Sequence, residues 1–415
     1  MPLSNAVRST DILNQPLAPD IKAAIDALPV STGPISVTDY LDEACGVSGF
    51  QDYGDMSFVA GLEVAVAGFN AAKMTKMGVM QAQQVVLPIL VNRLRVEDLV
   101  KNHPEILDIE ISRPIILTGL PRSGTTHLHN LLAADSSLRS LPYWEALEPI
   151  PTAGEWDNPQ PRIDRCEESL VLLDLVSPHF RAMHEMDALY AHEEISLLAL
   201  DFCTMQFEVV AGPNPIYREW YSQQDTLRSY QYLKKTLQCL QYLRGGSRWV
   251  LKSPQHLAEF KSLAAVFPDA SFVVSHRDPV PVTASMATMM TYSSRGVRED
   301  RDLVAWGKYY ANMVEWLLRS SVEDRDALPS SQVVDIYFDE FCADNMAQVR
   351  RVYELADQAL TETSVQEMDA YIASHPRGRF GRVSYDLQAD FGIDPNALSA
   401  GYEFYFQRFP QVRKE

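Results

Sequence analysis

No stretch of this chain stays apolar long enough to cross a bilayer as a helix, which takes about 18 to 20 residues. The opening segment, MPLSNAVRSTDILNQPLAPD, has no basic run followed by an apolar one, so a secretory leader is not expected either. Cysteine is scarce and scattered. Cys45, Cys166, Cys203, Cys239 and Cys342 are odd in number and form no C-x-x-C pair, which suits buried thiols in a reducing compartment rather than a disulfide frame or a zinc site. A zinc-protease motif is missing too: in AHEEISLL the position four after His192 is Ser196, not histidine. Positive charge is the last shortage. Lys and Arg number 36 against 55 Asp and Glu, a net −19, so most of the surface repels nucleic acid and anionic membrane. An anionic ligand therefore needs a local basic pocket. Together these absences predict a cytoplasmic globular protein with no metal centre, no nucleic-acid partner and no membrane span.

What is present is a chain of 415 residues, 46% apolar, enough for a large core. Up to about residue 108 the apolar spacing is helical, as in DIKAAIDAL and QAQQVVLPILVNRLRVEDLVKNH. The period then changes at RPIILTGLPRSGTTHLHNLLAAD. Three consecutive apolar residues, Ile115, Ile116 and Leu117, give way to a Gly/Pro/Ser loop and then to Leu128, Leu131 and Leu132 at helical spacing. Further buried strands are predicted at RWVLKS, SFVVSHRD and SQVVDIYFDEF, with helix between them, and EEISLLALDFCTMQFEVV reads as helical. Strands alternating with helices indicate an α/β fold: a P-loop-like parallel sheet flanked by helices. We expect a helical N-terminal extension, 1–108, and a catalytic α/β domain, 109–415.

The loop Gly119–Thr126 joins the first strand to a helix, where unpaired backbone N–H groups and the positive helix end suit a phosphate-like anion. GLPRSGTT has the spacing of G-x-x-x-x-G-K-[ST] except that Thr125 stands where Lys is required. That loss disfavours a nucleoside triphosphate, and with it a P-loop kinase. Such a loop after a buried strand, PRSGTT, resembles the 5′-phosphosulfate loop of sulfotransferases dependent on 3′-phosphoadenosine 5′-phosphosulfate (PAPS), notably the bacterial group and the tyrosylprotein sulfotransferases. The resemblance assigns Arg122, Ser123, Gly124, Thr125 and Thr126 to the donor's 5′-phosphate and sulfuryl group. It also implies a 3′-phosphate clamp of an Arg at a strand end and a Ser on the following helix. HRDPVPVTASM supplies these as Arg277 and Ser285, eight residues apart. Near the C-terminus, HPRGRFGRVSYD is similar to a basic, Gly-containing segment that closes over the nucleotide, which carries Arg377, Gly378 and Arg379 into the donor site.

Sulfuryl transfer needs cations near the oxygens that gain charge and a base for the acceptor proton. Lys252, at the end of RWVLKS, takes the first role together with Arg122. For the base there are two candidates. His256, in KSPQHL, matches a family pattern of Lys, Ser, Pro, any residue and His, and its ordinary pKa suits the task. Glu145, in LPYWEALEPIP, stands roughly where tyrosylprotein sulfotransferases place a catalytic glutamate, a residue or two out of register. His127 and His129 rank lower. His192, Glu193 and Glu194 read as a polar helix start, or as lining for the acceptor. Trp144, Phe202, Phe207, Trp220 and Tyr221 read as core, or as walls of an apolar acceptor cavity. The expected activity is sulfuryl transfer from PAPS to an acceptor hydroxyl, releasing 3′-phosphoadenosine 5′-phosphate (PAP); the apolar and aromatic helical segments point to a hydrophobic alcohol or phenol and leave a saccharide or peptide open. A protein that binds the nucleotide without turnover is the remaining alternative.

Overall fold

Side chains that are apolar at consecutive positions can all be buried only in a strand covered on both faces. The computed structural model, which describes residues 6–29 and 33–414, forms such strands at β1 (Ile115–Gly119), β2 (Val250–Lys252) and β3 (Ser271–His276), every residue of which is buried. They join β4 (Val333–Tyr337) in one parallel sheet of order β2-β1-β3-β4. Ile115 pairs with Val250 on one side and Ser271 on the other, and Val274 with Asp335. The fourth apolar run is an edge strand, hydrogen-bonded only to β3, so most of its side chains are half-buried rather than enclosed. β1 is central, with β2 and β3 on opposite sides. The chain thus reverses its winding direction beside the carboxyl end of β1, the switch point where open α/β sheets hold ligands.

The helices that position the site are, in order, α1 (Lys76–Asn102), α2 (Thr125–Ala133), α3 (Gln160–Val176), α4 (Phe180–Met183), α5 (Leu227–Arg244), α6 (Pro279–Ser293) and α7 (Leu303–Glu323). Leu128, Leu131 and Leu132 of α2 pack with Ile115, Leu117, Val250 and Val273 on one sheet face. Fully burying each such leucine contributes roughly 2 kcal/mol. On the other face a larger core runs without a break from Ile12 to Val412 and so includes both the N-terminal helices and the α/β part. Arg93 of α1 is one tie between them: it is 1% exposed, donates to the carbonyls of Tyr53 (3.0 Å) and Leu200 (2.9 Å), and lies 3.6 Å from Asp201. No helix among the described residues is long and apolar enough to cross a membrane.

EEISLLALDFCTMQFEVV is not one helix. It breaks into short turns at Ile195–Leu198, Ala199–Asp201 and Met205–Glu208. Phe202 is left-handed (φ 52°), which stops the first run, and its carbonyl is held by the Tyr217 hydroxyl at 2.7 Å. The same carbonyl sits so close to Gly61 that a Cβ there would lie 2.2 Å from it, so tertiary packing fixes the break.

Candidate functional site

The carboxyl ends of β1, β2 and β3 deliver the loop 120–124, Lys252 and Arg277 to one edge of the sheet. The loop and Arg277 line a cavity of about 670 Å³, and Lys252 pairs with another of its lining residues, Glu193. In the loop, Gly124 is left-handed (φ 85°) and forms the N-cap of α2. A Cβ at this position would come within 3.1 Å of the Phe338 ring, so glycine is required for backbone shape and close approach alike. Arg122 is also left-handed (φ 70°). It donates from Nε to Ser285 Oγ at 3.0 Å, while Arg277 Nη1 donates to the Arg122 carbonyl at 2.5 Å. Ser285 lies on α6, whose first turn is capped by Asp278 accepting from Val280 N at 2.8 Å. The eight-residue interval thus puts Arg277 at a strand end and Ser285 two turns into the next helix, both against the anion loop. Burial disfavours the Arg122 charge and the Tyr385 hydroxyl offsets part of this, an environment that an anionic ligand would relieve. The Arg277 guanidinium lies 3.9 Å over the Phe338 ring and that of Arg377 lies 5.5 Å from it. Arg377, Gly378 (φ 80°) and Arg379 form a turn over the cavity, with Arg379 reaching Glu185 and donating to the Tyr190 hydroxyl at 2.7 Å.

Lys252 is 2% exposed and is not among the residues that line this cavity. Its ammonium donates to Glu193 and lies 3.4 Å from Thr126 Oγ1, so the cation missing from position 125 is supplied by a different strand. The neighbouring glutamates have opposite fates. Glu193 lines the cavity, whereas Glu194 is 0% exposed and accepts from Lys252 N (2.8 Å) while pairing with His256 Nε2 (2.5 Å). Burial opposes the Glu194 charge, but His256 and the Lys252 amide outweigh it and hold the carboxyl below its ordinary range. The loop carrying Glu193 is tied to the donor helix by Asn130 of α2. Its amide accepts from Ala191 N at 2.9 Å and donates to Ala191 O at 3.2 Å.

The cavity lining also has a large apolar share: Met183, Met186, Met205, Met286, Met289 and Met290, with Phe180, Ile195 and Val209. Methionine is flexible and polarizable, so this lining adapts to the shape of an apolar guest. Two histidines border it. Burial pushes His184 down to about 3 and His192 well below the usual range, with the Lys252 charge adding to both, so both rings are neutral near neutral pH.

The sequence-based assignments fare unevenly. Arg122, Gly124, Thr125, Thr126, Arg277, Arg377, Gly378 and Arg379 line the cavity. Ser123, 2% exposed, donates to the Leu120 carbonyl at 2.6 Å and shapes the loop, while Ser285 is reached through Arg122. Neither proposed base lines the cavity. His256 is 0% exposed, with Nδ1 on the Tyr230 hydroxyl (2.7 Å) and Nε2 on Glu194, so both ring nitrogens are engaged. Glu145, 1% exposed, is held by Arg139 (2.6 Å) and Arg244 (2.9 Å). Glu145 is a buried ion-pair partner and His256 a buried hydrogen-bond partner, both fixed by packing that a short motif does not reveal. His256→Gln is expected to lower stability by roughly 1 to 3 kcal/mol, as leaving buried hydrogen-bond partners unsatisfied does, read as a drop in unfolding midpoint with donor affinity kept. Lost turnover with an unchanged midpoint would return His256 to the role of base. His127 lines the cavity, 5.4 Å from the Tyr371 ring, whereas His129 is buried on the Val250 carbonyl. Trp144, Phe202, Phe207, Trp220 and Tyr221 pack in the core and do not line the cavity. Phe338, Asn130 and the methionine lining carried no sequence signal, since each works only through partners distant in the chain.

Comparison with known proteins gives the same direction. The omega-hydroxy-beta-dihydromenaquinone-9 sulfotransferase Stf3 of Mycobacterium bovis is 28% identical over 273 residues, covering 63% of this chain and 67% of that protein. The crystal structure of sulfotransferase STF9 from Mycobacterium avium superposes with a TM-score of 0.81 at 27% identity, over 92% of this chain and 98% of that one. That of STF1 from Mycobacterium tuberculosis H37Rv gives 0.78 at 26%, over 90% and 99%. The profile of the Sulfotransferase family matches residues 114–362, more than half of the chain and the whole stretch from β1 past β4. With the loop 120–124, the strand-end cations and most of the cavity lining in that stretch, the chain belongs to the sulfotransferase family and is an enzyme of sulfuryl transfer.

Proposed function

We propose that the enzyme transfers the sulfuryl group of PAPS to the hydroxyl of a small apolar molecule, with Glu193 as general base. The observation that carries this reading is one cavity whose lining combines Arg122 and Arg277 with six methionines and includes Glu193, which pairs with Lys252. The reading is supported in charge and shape: α2 presents its first N–H groups, Arg122 is a half-buried cation beside Ser285 and Arg277, and Gly124 leaves the loop open. Residues 122–126 would hold the 5′-phosphosulfate, Arg277 and Ser285 the 3′-phosphate, and Arg377, Gly378 and Arg379 would cover the nucleotide.

In the reaction the acceptor oxygen attacks sulfur in line, the bond from sulfur to the bridging phosphate oxygen breaks, and PAP leaves. Glu193 takes the acceptor proton. Lys252 and Arg122 face the oxygens on which charge accumulates, so positioning and electrostatics do most of the work, as in phosphoryl transfer. The relative from Mycobacterium bovis is named for a menaquinone-derived acceptor, and the methionine lining here supports an acceptor of similarly apolar character. Incubation with labelled PAPS and a panel of aliphatic alcohols, phenols and sugars tests this. Sulfated product is expected from the apolar members. PAP binding with no turnover on any acceptor would make the chain a nucleotide binder, and preference for sugars would remove the apolar reading.

A further inference from the structure

In extended backbone the N–H and C=O of one residue point to one side, and those of its two neighbours point to the other. Ala191 lies in such a stretch and bridges to Pro142: His192 N donates to the Leu141 carbonyl at 2.7 Å, and Tyr143 N donates to the Tyr190 carbonyl at 3.0 Å. The polar groups of Ala191 itself therefore face away from residues 141–143. Where a further strand would take them, the side chain of Asn130 does so instead. Its Oδ1 accepts from Ala191 N at 2.9 Å and its Nδ2 donates to Ala191 O at 3.2 Å.

A carboxamide suits this position because it carries a donor and an acceptor in one plane. The second N–H of Asn130 donates to the Thr126 carbonyl, at 3.1 Å, in the first turn of α2. Asn130 lines the cavity, yet both of its N–H groups are spent on the protein, so the amide holds backbone rather than a substrate. Lys252 closes the circuit: its ammonium lies 3.4 Å from Thr126 Oγ1 and donates to Glu193, two residues after Ala191.

We propose that Asn130 is a positioning residue, which holds Glu193 in register with Lys252 and with the first turn of α2. This rests on the reading of Glu193 as general base. Without the amide, the backbone just before Glu193 is held from one side only, by residues 141–143. The carboxylate then shifts relative to an acceptor bound between it and the donor, and proton transfer tolerates little such displacement.

The test is a double-variant cycle on the full chain with Asn130→Leu and Glu193→Gln. It reads kcat for transfer from labelled PAPS to whichever alcohol or phenol of the panel above the native protein sulfates fastest, beside calorimetric PAP affinity. Leucine is close to asparagine in size and makes no hydrogen bond. Asn130→Leu should lower kcat by roughly ten- to a hundredfold while PAP affinity stays native. In the Glu193→Gln background the same substitution should cost less than about threefold, because residues that act as a unit are not additive. A merely structural role would cost the same factor in both backgrounds. Asn130→Asp keeps the acceptance from Ala191 N and loses both donations; it should lower kcat similarly, and it carries the cycle if the leucine variant fails to fold. Native kcat in the Asn130 variants, or an equal loss with and without Glu193, overturns the proposal and leaves Glu193 as base if Glu193→Gln is itself impaired. Native kcat in Glu193→Gln removes the base reading, and this proposal with it.

Discussion

Glu193→Gln should lower kcat by roughly a hundred- to ten-thousandfold, the usual contribution of a positioned base, while affinity for PAP stays the same or rises slightly. Glutamine keeps the size of the side chain and a hydrogen-bonding oxygen but cannot take the acceptor proton. The carboxylate is the partner of the Lys252 ammonium, so its removal leaves a less compensated cation at the cavity, which favours an anionic nucleotide. Single-turnover measurements alongside calorimetric titration of PAP separate the two effects. A variant with native kcat would exclude Glu193 as the base.

Arg277→Ala should weaken PAP binding about a hundredfold, since losing a charge-assisted pair to phosphate costs about 3 kcal/mol and each 1.4 kcal/mol is tenfold. The informative comparison is with adenosine 5′-monophosphate, which lacks the 3′-phosphate. Affinity for that nucleotide should change little, so the variant loses discrimination rather than binding in general. An equal loss for both would mean that Arg277 acts through the anion loop, whose Arg122 carbonyl it holds, and not on the 3′-phosphate. Arg277→Lys should recover only part of the affinity, because an ammonium cannot fork onto two phosphate oxygens.

Much of the sheet edge that carries the loop, Lys252 and Arg277 was legible in the sequence because it is local. The apolar run before Gly119, the run before Lys252 and the run before Arg277 each read as a strand from adjacent residues, and a parallel sheet brings their carboxyl ends to one edge. Ser285 follows from Arg277 by helix geometry, since Asp278 and Pro279 start α6 at a fixed point. The turn at Gly378 and Gly381 was also visible, as residues suited to positive φ among arginines. By contrast, the long helix expected over residues 193–210 failed because its interruption at Phe202 is imposed by Tyr217 and Gly61, neither of them nearby in the chain.

The sequence alone therefore determined that the loop after Gly119, Lys252 and Arg277 share one sheet edge, with Ser285 on the following helix, because each follows from short-range geometry. Which carboxylate faces the cavity was decided only in three dimensions. Glu193 and Glu194 are adjacent and chemically identical, yet the chain turns one toward the cavity and the other into the core against Lys252 N and His256. That choice depends on where β2 and α5 lie relative to the loop, since β2 supplies Lys252 and α5 supplies the Tyr230 that takes the other nitrogen of His256. The same packing buries His256, the residue the motif favoured as base, and leaves Glu193 beside the lysine.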